Sequence, residues 1–133
     1  MNVLALDFGL KRIGVAVGST LSGIAFPRDV LMNDSNVFVN LSRILSDERI
    51  ETILVGSPLK RDGAAGDIDV QLQQFLASLR EMRIPVEIVD ERYTSKMAQE
   101  KLHRIGVKVK DQKDVSDSIA AQVLLQDWLD ARS

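Results

Sequence analysis

The chain has 133 residues, 45% of them hydrophobic and 27% charged, with a formal net charge of −2. That length suits one domain spanning residues 1–133 around one sizeable core, and the composition excludes a largely disordered chain. With no cysteine and a single histidine, His103, disulfides, thiolate metal centres and multi-histidine zinc sites are excluded.

No apolar run reaches the ~18 residues of a membrane span, and the N-terminus lacks the basic-then-apolar layout of a secretory signal. A soluble cytoplasmic protein with no membrane partner is expected, and any metal must sit on oxygen ligands. The near-neutral charge does not decide for or against nucleic acid. Lys101, Arg104, Lys108, Lys110 and Lys113 crowd one stretch, and a solvated face explains such a run as well as a nucleic-acid contact does.

Residues 3–18 read as two short apolar runs joined by a glycine-bearing turn. The first run ends in Asp7; Gly9, Lys11 and Arg12 follow, and the second begins at Ile13. This pattern predicts a β-hairpin with a carboxylate at the end of a buried strand. A buried acid is costly unless something pairs with it. Residues 23–31 predict a third strand, which Pro27 places at an edge or a bulge. Asp34 or Ser35 then caps a helix whose apolar face is Val37, Leu41, Ile44 and Leu45.

Residues 52–56 form a continuous apolar run, expected to be a strand buried on both faces. A loop through Gly66 follows, and Asp67 caps a helix with Ile68, Leu72, Phe75, Leu76, Leu79 and Met82 on its core side. Pro85 stops that helix, and residues 86–90 give a fifth strand. Thr94 or Ser95 caps a further helix ending near Gly106. Residues 106–113 are basic and aperiodic, which reads as a loop. The last helix spans about 114–130; Val115, Ile119, Val123, Leu124 and Trp128 fall nearly all around it, so deep packing on the sheet is expected. Ala120 and Ala121 would permit close approach. Three antiparallel strands, two helix–strand repeats and two final helices make an α/β protein with a mixed sheet and helices on its faces.

Four acids stand out: Asp7 after the first strand, Glu91 after the last, and Asp114 with Asp117 on one face at the start of the final helix. Parallel strands end on one edge of their sheet, so these acids can converge there. Gathered carboxylates repel one another, and a hard divalent cation such as Mg²⁺ or Mn²⁺ relieves this. Taken singly, each acid also reads as a turn, ion-pair or helix-capping residue. Lys11, Arg12, Lys60, Arg61 and Arg92 flank the turns of this edge and are candidate phosphate contacts. Lys108 and Lys110 are candidates for a flanking strand. His103 reads as a surface residue and Trp128 as core. Ser57 has no histidine placed to activate it.

Residues 6–16 (Leu-Asp-Phe-Gly-Leu-Lys-Arg-Ile-Gly-Val-Ala), 55–63 (Val-Gly-Ser-Pro-Leu-Lys-Arg-Asp-Gly), 90–95 (Asp-Glu-Arg-Tyr-Thr-Ser) and 117–126 (Asp-Ser-Ile-Ala-Ala-Gln-Val-Leu-Leu-Gln) together resemble the motifs of the YqgF/RuvX family. The resemblance covers nearly the whole chain, although Ser57 stands where the family more often has an apolar residue. It implies a ribonuclease H-like fold with sheet order 3-2-1-4-5. It implies Asp7, Glu91 and Asp117 as catalytic acids holding Mg²⁺ or Mn²⁺, with Asp114 where related resolvases carry a further acid. It also implies a nuclease of 5′-end maturation of precursor 16S rRNA in the bacterial cytoplasm. The alternatives are a Holliday-junction-resolvase-like DNA endonuclease and a non-catalytic nucleic-acid-binding or transcription-associated factor. An actin-like nucleotide-binding module uses a similar Asp-x-Gly hairpin but needs two such domains, and the length suits one. A monomer or weak dimer acting on RNA or branched DNA is expected.

Overall fold

The computed structural model describes residues 1–57, 67–90, 100, 103–104 and 118–132. In chain order the elements are β1 (Asn2–Asp7), β2 (Arg12–Ser19), β3 (Ala25–Met32), α1 (Val37–Asp47), β4 (Thr52–Ser57), α2 (Asp67–Arg80), β5 (Val86–Asp90) and α3 (Ile119–Asp130). The expected helix after Ser95 and the loop at 106–113 lie outside the described residues, apart from a helical Glu100, His103 and Arg104.

The five strands form one sheet in the order β3-β2-β1-β4-β5. β1 pairs antiparallel with β2 and parallel with β4, and β5 extends the parallel half. β1 is central, and Val3 to Leu6 are fully buried, so the strand needs apolar residues on both faces. Alternation divides them. Leu4 and Leu6 join Val15, Ile53, Val55, Leu41 and Leu76 in the core beneath α1 and α2. Val3 and Ala5 join Ala16, Leu54, Leu124 and Leu125 in the core beneath α3. β4 is buried on both faces as its sequence implied.

The edge reading of Pro27 holds, since β3 is an outer strand and the β2–β3 register shifts between Ile13 and Val15. β3 begins later than residue 23 because Gly23, at φ 69°, and its neighbours form the turn. The start of α1 differs from expectation. Asp34 accepts a hydrogen bond from the Asn36 amide at 2.9 Å, closing the turn before the helix. Asn36 takes the cap position without a side-chain hydrogen bond.

α3 packs on β2, β3 and β1 through Ala121, Val123, Leu124, Leu125, Trp128 and Leu129. Ala121 is buried there, whereas Ala120 is exposed. Three fully buried polar side chains, Ser118, Gln122 and Gln126, recur every fourth residue and so form one stripe. They engage strand backbone. Gln126 Oε1 accepts from the Ala25 amide at 2.9 Å, and its Nε2 donates to the Gly23 carbonyl at 2.8 Å. Gln122 Nε2 donates to the Ala25 carbonyl at 3.2 Å. Farther along, Trp128 Nε1 donates to Glu87 at 3.1 Å, and the Arg132 guanidinium lies 3.5 Å from the Trp128 ring centre. This ties the end of α3 to β5.

Replacing Gln126 by Met keeps the volume but leaves the buried Ala25 amide without its acceptor. The expected loss is about 1–3 kcal/mol of unfolding free energy, read from urea denaturation; an unchanged midpoint would show that the stripe is not needed for stability.

Candidate active site

Asp7 is the last residue of β1 and is partly buried. By alternation it shares the face of Val3 and Ala5, the face that carries α3. Its pairing partners are Gly14 on β2 and Gly56 on β4. Neither strand neighbour contributes a side chain beside the carboxylate. Gly14 and Gly56 thus flank the acid on both sides, which the linear order alone did not show.

The hairpin turn after Asp7 is narrow. A side chain on Gly9 would collide with the Arg12 carbonyl oxygen. Asn33, just beyond β3, donates from Nδ2 to the Gly9 carbonyl at 2.9 Å, and its amide donates to the Lys11 carbonyl at 2.9 Å. Sequence reasoning missed Asn33; its only signal was a polar residue between a strand and a helix. Lys11 and Arg12 are both exposed on this braced turn, at the edge where β1 ends.

β5 ends on the same edge. Gly56 pairs with Val89 and Ser57 with Asp90, so Asp90 stands one residue beyond the level of Asp7. The start of α3 reaches this edge as well. Ser118 Oγ accepts from the Val15 amide at 2.9 Å and donates to the Arg28 carbonyl at 2.7 Å. Val15 directly follows Gly14, the partner of Asp7.

The structure therefore brings Asp7, the end of β5 and the beginning of α3 to one edge. Glu91, Asp114 and Asp117 lie outside the described residues, as do Lys60, Arg61, Arg92, Lys108 and Lys110. Among the described residues, no three His, Cys, Asp or Glu side chains gather as a metal site. His103 is exposed and Trp128 is buried, both as expected. Among the described residues, no helix is long and apolar enough to cross a membrane.

A family model described as "RuvX: Holliday junction resolvase" matches residues 1–131. The chain belongs to the RuvX family. Among RuvX relatives, a "Putative pre-16S rRNA nuclease" of Maridesulfovibrio salexigens is 36% identical over 132 residues, covering 97% of this chain and 98% of the relative. One from Thermosynechococcus vestitus is 38% identical, covering 100% and 90%. Solved structures share the fold at lower identity. RuvC of T. thermophilus in complex with a Holliday junction superposes with a TM-score of 0.66 at 16% identity, covering 99% of this chain and 95% of that one. The fowlpox virus Holliday junction resolvase does so at 0.60 and 12%, with complete coverage of both. The chain is thus a member of a nuclease family on a ribonuclease H-like, resolvase-type fold, as its motifs implied.

Gly9→Ala should destabilise the protein by about 1–3 kcal/mol, the usual cost of forcing atoms into filled space. Asn33→Ala should cost about 1 kcal/mol through its lost hydrogen bond to the turn. Chemical denaturation measures both, and a neutral Gly9→Ala would mean that the turn has another conformation.

Proposed function

We propose that this chain is a divalent-metal-dependent phosphodiesterase acting in 5′-end maturation of precursor 16S rRNA, with Asp7, Glu91 and Asp117 as its catalytic acids. The observation that carries this reading is the anchorage of α3. Ser118 is hydrogen-bonded to the residue after Asp7's strand partner, and Asp117 immediately precedes Ser118 in sequence. β5 ends at Asp90 on the same edge, with Glu87 and Val89 on the α3 face, and Glu91 follows it in sequence. β1 and β5 are two strand spacings apart, about 10 Å, a gap that carboxylate side chains can share around cations. Asp114 is a further candidate ligand.

The donor chemistry fits Mg²⁺ or Mn²⁺. The chain has no cysteine and its one histidine is exposed, which leaves oxygen ligands suited to hard cations. Such a bound cation would activate water and stabilise the leaving oxygen. The chain's own part is to hold the acids on a fixed sheet edge. Lys11, Arg12, Lys60, Arg61 and Arg92 bind the flanking phosphates, and Lys108 and Lys110 bind the continuing strand. The rRNA assignment is supported by the names of relatives similar over nearly their full length, and a cytoplasmic location is proposed with it. The resolvase likeness is one of fold, and cutting a junction symmetrically would require a two-fold dimer. A monomer or weak dimer suffices for trimming rRNA.

Incubation with Mn²⁺, precursor 16S rRNA and four-way DNA junctions tests the reading. Asp7→Asn, Glu91→Gln and Asp117→Asn should each lower rRNA cleavage by roughly 100-fold or more with unchanged circular dichroism. Removing a like charge should also raise the metal-free melting temperature. Near-normal cleavage by all three variants would remove the mechanism, and junction cleavage alone would move the substrate to DNA. Lys108→Ala with Lys110→Ala should reduce the log–log salt slope of RNA binding by about 1–2; an unaltered slope would exclude contact there.

A further inference from the structure

We propose that Ser118 is a positioning residue, whose hydroxyl fixes the start of α3, and with it Asp117, relative to Asp7. The inference rests on the assignment of Asp7 and Asp117 as metal-binding acids. Ser118 is fully buried. Its Oγ joins the Val15 amide, at 2.9 Å, to the Arg28 carbonyl, at 2.7 Å. Val15 and Arg28 are themselves register partners across β2 and β3. The hydroxyl therefore bridges two groups of one ladder rung, beside the register shift between Ile13 and Val15.

Serine is a favoured helix N-cap because its oxygen accepts from the first-turn amides. Ser118 occupies the N-cap position of α3 but makes no such bond. Its oxygen is committed to the sheet instead. A serine side chain has one carbon between backbone and hydroxyl, so two short hydrogen bonds leave its backbone little room to drift. Asp117 is one peptide away, about 3.8 Å between Cα atoms. On the sheet side, Val15 is one residue from Gly14, the partner of Asp7. The apolar contacts of α3 are non-directional and tolerate small shifts along the sheet; the Ser118 bridge does not.

Ser118→Ala removes the bridge. Gln126→Met cuts another bond of the same stripe two helical turns away, about 12 Å along the axis, and controls for general loosening. Isothermal titration of the metal-free protein with Mn²⁺, and the Mn²⁺ concentration for half-maximal rRNA cleavage, are the readouts. Ser118→Ala should raise both by about 10-fold, the usual scale for losing a group that orients a ligand, and leave the rate at saturating Mn²⁺ within a few-fold of wild type. Gln126→Met should leave both Mn²⁺ values unchanged. Wild-type Mn²⁺ affinity in Ser118→Ala, or an equal shift in Gln126→Met, overturns the proposal. If Ser118→Ala does not fold, Ser118→Cys, a weak donor and acceptor of similar shape, should shift Mn²⁺ affinity in the same direction, and no shift overturns it. Unchanged Mn²⁺ binding by Asp7→Asn and Asp117→Asn would instead overturn the underlying site assignment.

Discussion

The last helix is bound to the sheet by hydrogen bonds to strand backbone, and its placement depends on that attachment. Ser118, Gln122 and Gln126 are buried in an otherwise apolar contact, where an unpaired polar group would be costly. Their partners include backbone groups of Val15, Gly23, Ala25 and Arg28 and the Asp130 carboxylate, and Gln122 Oε1 has no partner among the described residues. Such bonds have one register. A helix rotated by a single residue would turn its stripe by about 100° and lose them. Apolar burial supplies most of the attraction, and the polar stripe selects one placement among those that would bury similar area.

That placement matters for the proposed site, whose acids come from distant parts of the chain. Asp7 belongs to the central strand, Glu91 follows β5 and Asp117 precedes α3. β1 is held from both sides and both faces, with four consecutive residues, Val3 to Leu6, at zero exposure. A carboxylate at its end is carried by a strand paired on both sides and buried on both faces. The glycines paired with Asp7 add no side chain of their own beside it, and the braced turn holds Lys11 and Arg12 on the same edge. A rigid support suits a cation site, since Mg²⁺ demands near-ideal ligand geometry.

The attachment is also distributed. Trp128 and Arg132 meet Glu87 at the far end of α3, so the helix is secured near β3 at its start and near β5 at its finish. The strand that leads to Glu91 and the helix that begins after Asp117 are thereby tied to each other as well as to β1. The exposed Arg132–Glu87 pair contributes little energy by itself. The Trp128 hydrogen bond and the guanidinium stacked on its ring make it part of a small network that fixes direction.

The amino-acid sequence by itself determined the strands and helices among the described residues, and the family. Apolar runs, glycine breaks and Pro85 mark elements through local physics, and the motifs around Asp7, Gly56, Asp90 and Asp117 carry the resemblance. It also yielded the edge position of β3, because Pro27 cannot donate to a ladder. Tertiary structure alone decided that Asp7 lies between two glycines, that Asn33 braces the hairpin turn, and that Ser118 joins a strand rung instead of capping its own helix. Each of these is a contact across 7 to 103 residues of chain or a choice between two hydrogen-bond partners. Periodicity reports which face of an element is buried, and it holds no record of which backbone group a buried hydroxyl or amide will meet.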